Sequence, residues 1–264
     1  MTRRMNRPTR FRGWILPVAL AVVLCVARRA GAQGTVLQLS APDQQNITKY
    51  LGAGVVGQAL PSNPIRNAAS YFPLTQRAHT FQVTSGKNAG NQQVLHVTQG
   101  QRPNGNPAWR FELAPSLFAF LNKNPSGTLL MTAVSDTSEG VVIVTTPATP
   151  FVMQGMNPGD ARSVSQNVSV NYLDDPTDQR YSGTLTGTVT YVGNFQVTVP
   201  AGTFPAILMR EDLSGKIGPA DTQDTAYYFL SPGVGVVAMI SQEDVEAFWI
   251  IHIDTTTGKV LASR

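Results

Sequence analysis

Three histidines and sixteen acidic residues are the side chains of this 264-residue chain best suited to proton transfer or metal ligation. His79 lies in the alternating stretch Ala78 to Ser85 and His96 in Gln92 to Gln99, joined by Gly86-Lys-Asn-Ala-Gly90. Paired as a hairpin, these stretches bring both imidazoles to one face with Phe81, Val83 and Val94, where two rings could hold a metal ion. Such a site normally takes a third ligand. Neither stretch carries Asp or Glu, and His252 is remote in sequence. We therefore assign no metal ligands and expect hydrogen-bonded or edge histidines.

The carboxylates are weighed in the same way. Glu211-Asp212 and Glu243-Asp244-Glu246 could supply the paired acids that glycoside hydrolysis needs on opposite sides of one bond. In a strand, however, neighbouring residues point to opposite faces, so these read as solvent-facing charges that discourage edge pairing. Asp174-Asp175-Pro-Thr-Asp178 has clustered acids suited to calcium but lacks the glycine and distal glutamate of an EF-hand loop, and reads as a solvated turn. Gly52-Ala-Gly54-Val-Val-Gly57 is a literal GxGxxG. A dinucleotide site needs a strand before it, a long helix after it and an acid about 20 residues on. Here Pro61 and Pro64 intervene and the next acid is Glu112, so the glycines are expected to form a helix face packed closely on another element. HExxH, GxSxG and P-loop patterns are absent. No catalytic or cofactor-binding residue is assigned, and no cofactor is expected.

The N-terminus reads as an address. Arg3, Arg4, Arg7, Arg10 and Arg12 precede an apolar run from Trp14 to Ala27, and Ala30-Gly31-Ala32 offers small residues for cleavage after Ala32. The uncharged run between Arg12 and Arg28 spans only residues 13 to 27, and Pro17 interrupts it, fewer than the roughly 20 apolar residues of a membrane-spanning helix. Seven of the 20 Lys+Arg and none of the 16 Asp+Glu fall in residues 1 to 32, leaving 13 against 16. The remainder is mildly acidic and shows no basic stripe for phosphates, so no nucleic-acid partner is expected. Cys25, the one cysteine, departs with the signal, so stability must come from a packed core. The expected location is periplasmic or extracellular.

Behind the signal, residues 33 to 64 read as a helical segment and linker. Ser40-Ala-Pro-Asp43 fits a capping box, and Ile47, Tyr50, Leu51 and Val55 recur at helical spacing. Residues 65 to 264 read as strand after strand: 78–85, 92–99, 108–114, 128–136 and 140–146, then 163–173, 180–192, 195–199, 203–213, 225–230, 234–241 and 245–253. Short connections favour antiparallel pairing. Pro147-Ala-Thr-Pro150 could divide this region into two halves. The expected fold is all-β, a curved, mostly antiparallel sheet or half-barrel with one N-terminal helix.

Two glycine-proline corners stand out. Pro200 removes a ladder donor and Gly202 accepts positive φ, so the strand ending at Val199 must turn before Phe204 resumes. Pro232, Gly233 and Gly235 form a second corner after Tyr227-Tyr-Phe-Leu230. Both are read as structural. Val199 to Phe204, Tyr227 to Phe229 and Pro232 to Gly235 together resemble a broad family of exported bacterial β-proteins labelled TapB-like. The resemblance implies a curved antiparallel sheet and no catalytic residues. Phe248-Trp-Ile-Ile251, Trp109-Arg-Phe111 and Leu117-Phe-Ala-Phe120 fit either strands buried on both faces or a sheet enclosing an apolar cavity. The functional expectation is a non-enzymatic envelope or extracellular protein, a carrier of an apolar small molecule or lipid, with adhesion or surface assembly, and then envelope hydrolysis, as rivals.

Overall fold

The computed structural model describes residues 34 to 247 and 251 to 264, the side chains of 243 to 254 excepted. The expected signal and its cleavage after Ala32 lie outside the described residues. Residues 34 to 264 form one compact unit. In chain order it contains β1 (Thr35–Val36), α1 (Ala41–Leu51), β2 (Val56–Ser62), α2 (Ala68–Tyr71), β3 (Arg77–Ser85), β4 (Gln92–Gln101) and β5 (Pro107–Ala114). There follow β6 (Leu117–Lys123), β7 (Leu129–Asp136), β8 (Val141–Thr146), β9 (Thr149–Val152) and β10 (Ala161–Tyr172). The remainder is β11 (Gln179–Val199), β12 (Gly202–Ile217), β13 (Ala220–Ser231), β14 (Gly235–Ala247) and β15 (Ile251–Ser263).

The sheet is a closed barrel, which corrects the expected half-barrel. Strands pair antiparallel in the order β11-β10-β8-β7-β6-β5-β4-β3-β15-β14-β13-β12, and β12 returns to β11. Closure abolishes the two edges that an open sheet would present. Where β10 ends, β2 takes its place beside β11, and β9 pairs with β7 beyond β8, so the Pro147 to Pro150 segment runs within the sheet.

Register sets which residues face the lumen. Val97, Phe111, Ala119, Val134, Ile143 and Val170 are direct partners in succession around one wall. Tyr191, Met209, Tyr228, Met239, Lys259 and Val83 are partners around the other. Along the β11–β12 ladder, Gly183, Gly187 and Gly215 occupy lumen rows where the two neighbouring backbones crowd each other. A Cβ on Gly187 would overlap the Asp212 carbonyl oxygen, and one on Gly215 the Thr184 carbonyl oxygen. Only glycine lets the two backbones meet this tightly.

A bulge between Tyr191 and Gly193 then exchanges the faces of β11. Beyond it, Phe195, Val197 and Val199 join an outer core with Phe204, Ala206, Leu208, Phe229, Ala238 and Val260. Helix α1 covers this outer face with Ile47 and Leu51. Ser40 accepts from the Asp43 amide as its cap. The Asp43 carboxylate also receives Arg210 Nη1 at 2.8 Å and the Tyr227 hydroxyl at 3.0 Å, clamping the helix to β12 and β13. Asp43 is therefore both capping acid and buried ion-pair partner. Burial pushes the Tyr227 phenol up to about 12, so it stays a donor.

One end of the lumen is plugged. Ile65 donates to Met156 O at 2.9 Å, Gly155 donates to Ile65 O at 2.7 Å, and Ala68 donates to Gln154 Oε1 at 3.0 Å. This braced segment inserts Phe72 edge-on to Phe111 and Phe151, with ring centroids 5.0 and 5.3 Å apart. Phe151 in turn packs on Tyr228 at 5.0 Å.

Several expected boundaries move. The helix stops at Leu51, where Gly52 at φ 101 and Gly54 at φ 83 turn the chain into β2; the GxGxxG is a helix-to-strand turn, not a helix face. Pro61 is tolerated because β2 has only the two-residue β1 on its outer side. The short α2 was not expected. The separate strands 180–192 and 195–199 are one strand with a bulge. The expected strand 245–253 spans a reversal between β14 and β15, and the Phe248 to Ile250 portion of its apolar run lies outside the described residues.

Gly187→Ala should lower the urea unfolding midpoint by the equivalent of roughly 3 kcal/mol or abolish folding. Gly100→Ala, where a Cβ meets nothing within 4 Å, should stay within about 0.5 kcal/mol. Asp43→Ala, which leaves Arg210 and Tyr227 without their shared acceptor, should cost about 2–3 kcal/mol in the same assay.

Candidate functional site

Opposite the plug, the lumen opens as a cavity of ≈420 Å³ beneath the β3–β4 and β5–β6 turns. Leu113, Leu117 and Met239 give it an apolar lining, and Gln93, Tyr228, Ser241, Thr255, Thr257 and Lys259 add polar groups. Its size falls in the range of small-molecule sites, which combine an apolar wall with a few placed polar atoms. The remaining mouth is closed by a separate cluster of Val141, Val168, Val170, Leu185 and Leu213. The cavity thus occupies the β3–β5 and β13–β15 side.

Lys259 is the unusual residue of this wall. It is 4% exposed, and its ammonium donates to the Leu113 carbonyl across the lumen. None of the four ion pairs among the described residues involves it. Burial pulls its pKa down to about 8, against a weaker opposing pull from Glu112. Gln93 Oε1 is buried without a hydrogen-bond partner.

Further along the same wall, Glu211 and Asp224 occupy lumen positions on β12 and β13. Burial, with the Asp224 and Asp212 charges added, pushes Glu211 up to about 8. Burial and these same two lumen acids raise the Tyr228 phenol well above its ordinary value. Asp212 points the other way, accepting from Arg210 Nε at 2.8 Å and from the Thr225 hydroxyl at 3.3 Å. The Glu211-Asp212 pair is therefore split between faces. Glu211 was expected in solvent and instead faces the lumen, because β12 is covered on both sides.

No family model matches the chain, and no curated protein matches it. Among solved structures it is similar to a "putative lipoprotein" from Parabacteroides distasonis, at 17% identity and a TM-score of 0.32, over 73% of this chain and 97% of that one.

The other sequence-derived candidates separate. His79 is paired with Leu95 while His96 is paired with Ala78, so the two imidazoles face opposite sides and share no site, contrary to the expected common face. His96 Nδ1 lies 2.7 Å from Glu112 Oε2 on the outer surface. His79 is held below its ordinary pKa, chiefly by burial and then by Arg77 and Arg264. The His252 side chain lies outside the described residues. Asp175 accepts from the Thr177 hydroxyl and amide in an exposed turn. Pro200 and Ala201 form the tip of the β11–β12 hairpin, Gly202 has φ 129, and Ala201 donates to Leu261 O at 3.1 Å. Phe204 lies under the Arg264 guanidinium, 4.9 Å from the ring centroid. Pro232 and Gly233 sit in the β13–β14 turn, where Gly233 donates to Ser70 O at 2.7 Å. Gly235, at φ 97, passes so close to Arg77 that a Cβ would stand 2.9 Å from Nη2.

Sequence reasoning missed Lys259, Gln93, Tyr228 and Thr257. Around Lys259 the stretch Thr255-Thr-Thr-Gly-Lys-Val-Leu261 shows no alternation of polar and apolar residues, so no local pattern marks the lysine as inward-facing.

Stability should depend on pH through Glu211. Its pKa is raised on folding, so the stability linked to its proton is complete below about 4.5 and is lost as pH rises through about 8. Lys259 has the opposite sign: its contribution is present above about 10.5 and lost as pH falls through about 8. Urea midpoints should therefore fall between about pH 5 and 8, by the equivalent of roughly 2–4 kcal/mol, and Glu211→Gln should remove most of that fall.

Proposed function

We propose that this is an exported, non-enzymatic β-barrel protein of the envelope or exterior that carries an apolar small molecule in the cavity at the open end of its lumen. The observation that carries this reading is the asymmetry of the lumen. Aromatic packing fills one end through Phe72, Phe111 and Phe151, while the other keeps a cavity of ≈420 Å³ walled by Leu113, Leu117 and Met239. A core selected only for stability would gain by filling it, since empty apolar volume costs free energy. Export is supported by the basic and apolar segments ahead of Ala30-Gly31-Ala32.

The rival roles have less support. Assembly through sheet edges meets a closed ladder whose flanking strand, β1, has two residues. Hydrolysis by paired acids meets Glu211 and Asp212 on opposite faces, with Glu211 held toward its neutral form; the side chains of the other set, Glu243, Asp244 and Glu246, lie outside the described residues.

The mature protein should take up the neutral fluorophore N-phenyl-1-naphthylamine saturably, with one site per chain. Leu117→Trp, which fills the cavity from its rim, should remove that uptake with little change in unfolding midpoint. Fluorescence that rises linearly without saturation, or that is unchanged by Leu117→Trp, would sink the carrier reading.

A further inference from the structure

The geometry points to an occupant of one chemical class: we propose that the carried molecule is a monocarboxylic amphiphile, its carboxylate seated on Lys259 and its tail against Leu113, Leu117 and Met239. This rests on the carrier reading and deepens it.

Lys259 enters the cavity from β15 and spends one donor on the Leu113 carbonyl. An ammonium has three donors, which leaves two for a guest. A backbone carbonyl is neutral, so the charge itself is unanswered within 4.0 Å among the described residues. A buried cation without a close counterion is costly, and a carboxylate brings both charge and acceptor oxygens. Gln93 is the second observation. Its Oε1, on β4, is buried without a partner in the same cavity lining, and turning the amide over presents its NH₂ group instead. Thr257, the residue two before Lys259 on β15, and Ser241, its cross-strand partner on β14, add hydroxyls that can donate. Lys259, Thr257 and Ser241 thus place donors side by side on β14 and β15, Gln93 adds one from β4, and Leu113, Leu117 and Met239 supply the apolar part of the lining.

The remaining charges set the valence. Glu112 on β5 attracts the Lys259 charge; among the described side chains Tyr228 also titrates in the cavity lining, and Glu211 and Asp224 lie further along the lumen, while the side chain of Glu243, the cross-strand partner of Asp224, lies outside the described residues. A phosphate dianion would bring two charges to a cavity lining that offers one lysine. A single negative charge matches a single ammonium. The burial-lowered pKa of Lys259, about 8, makes its charge sensitive to mildly alkaline pH.

Decanoate and its uncharged methyl ester test this by calorimetric titration of the intact mature protein. Near pH 6.5, decanoate should bind about tenfold or more tighter than the ester, the worth of a charge-assisted hydrogen bond. Lys259→Met should lose that preference while still binding the ester. In the unmodified protein, raising the pH to about 9.5 should weaken decanoate and leave the ester unchanged, an outcome that needs no variant to fold. Equal affinities for acid and ester, or a preference that survives Lys259→Met, would overturn the assignment of a carboxylate. Uptake of the neutral fluorophore without decanoate binding would overturn this inference alone. Uptake of none of the three would overturn the carrier reading and this inference with it.

Discussion

The β11–β12 ladder is the constraint on which the molecule depends. It joins Gly183 to Ile217 at one end and Val199 to Gly202 at the other, and between them it completes the ring of strands. Without it the lumen would be a curved sheet with two bare edges, its apolar rows exposed to water. The ladder can close because Gly183, Gly187 and Gly215 let two backbones approach where a methyl group would collide. It can serve two cores because one bulge, at Tyr191 to Gly193, reverses which side chains face inward. The lower half of β11 therefore lines the lumen, and the upper half roofs the outer core under α1.

Burial on both sides of β12 to β14 follows from this arrangement. Ile207, Leu208 and Met209 are consecutive and all buried, as are Tyr227, Tyr228 and Phe229. Such rows form the floor of two compartments, and the polar residues within them are committed to particular partners. Arg210 and Asp212 serve the outer face, while Glu211 serves the lumen. The outer ion pair orders a helix. On the inner face Lys259 and Tyr228 put polar groups into the cavity lining, and Glu211 lies further along the lumen.

Strand content and antiparallel pairing were legible because Val, Thr and aromatic residues recur between glycine and proline turns. The capping of α1 was legible in Ser40 and Asp43. Barrel closure was not, since the pairing of β3 with β15 and of β11 with β12 depends on curvature, and no local pattern reports curvature. The relation of His79 to His96 was misjudged by one residue of register, which in a strand moves a side chain to the other face. The cavity lysine escaped notice for a related reason: apolar neighbours on both sides of a strand mask the alternation that would reveal an inward-facing charge.

The seam between β3 and β15 carries a consequence for biogenesis. Arg77 to Ser85 finds one of its two neighbours only in residues 258 to 263, at the very end of the chain. The ring cannot close until residues 258 to 263 have been made. Until then β3 keeps one half-satisfied edge. A ladder wired in this way stays open through most of folding and locks with the arrival of a distant strand, which makes its closure a long-range and therefore slow event.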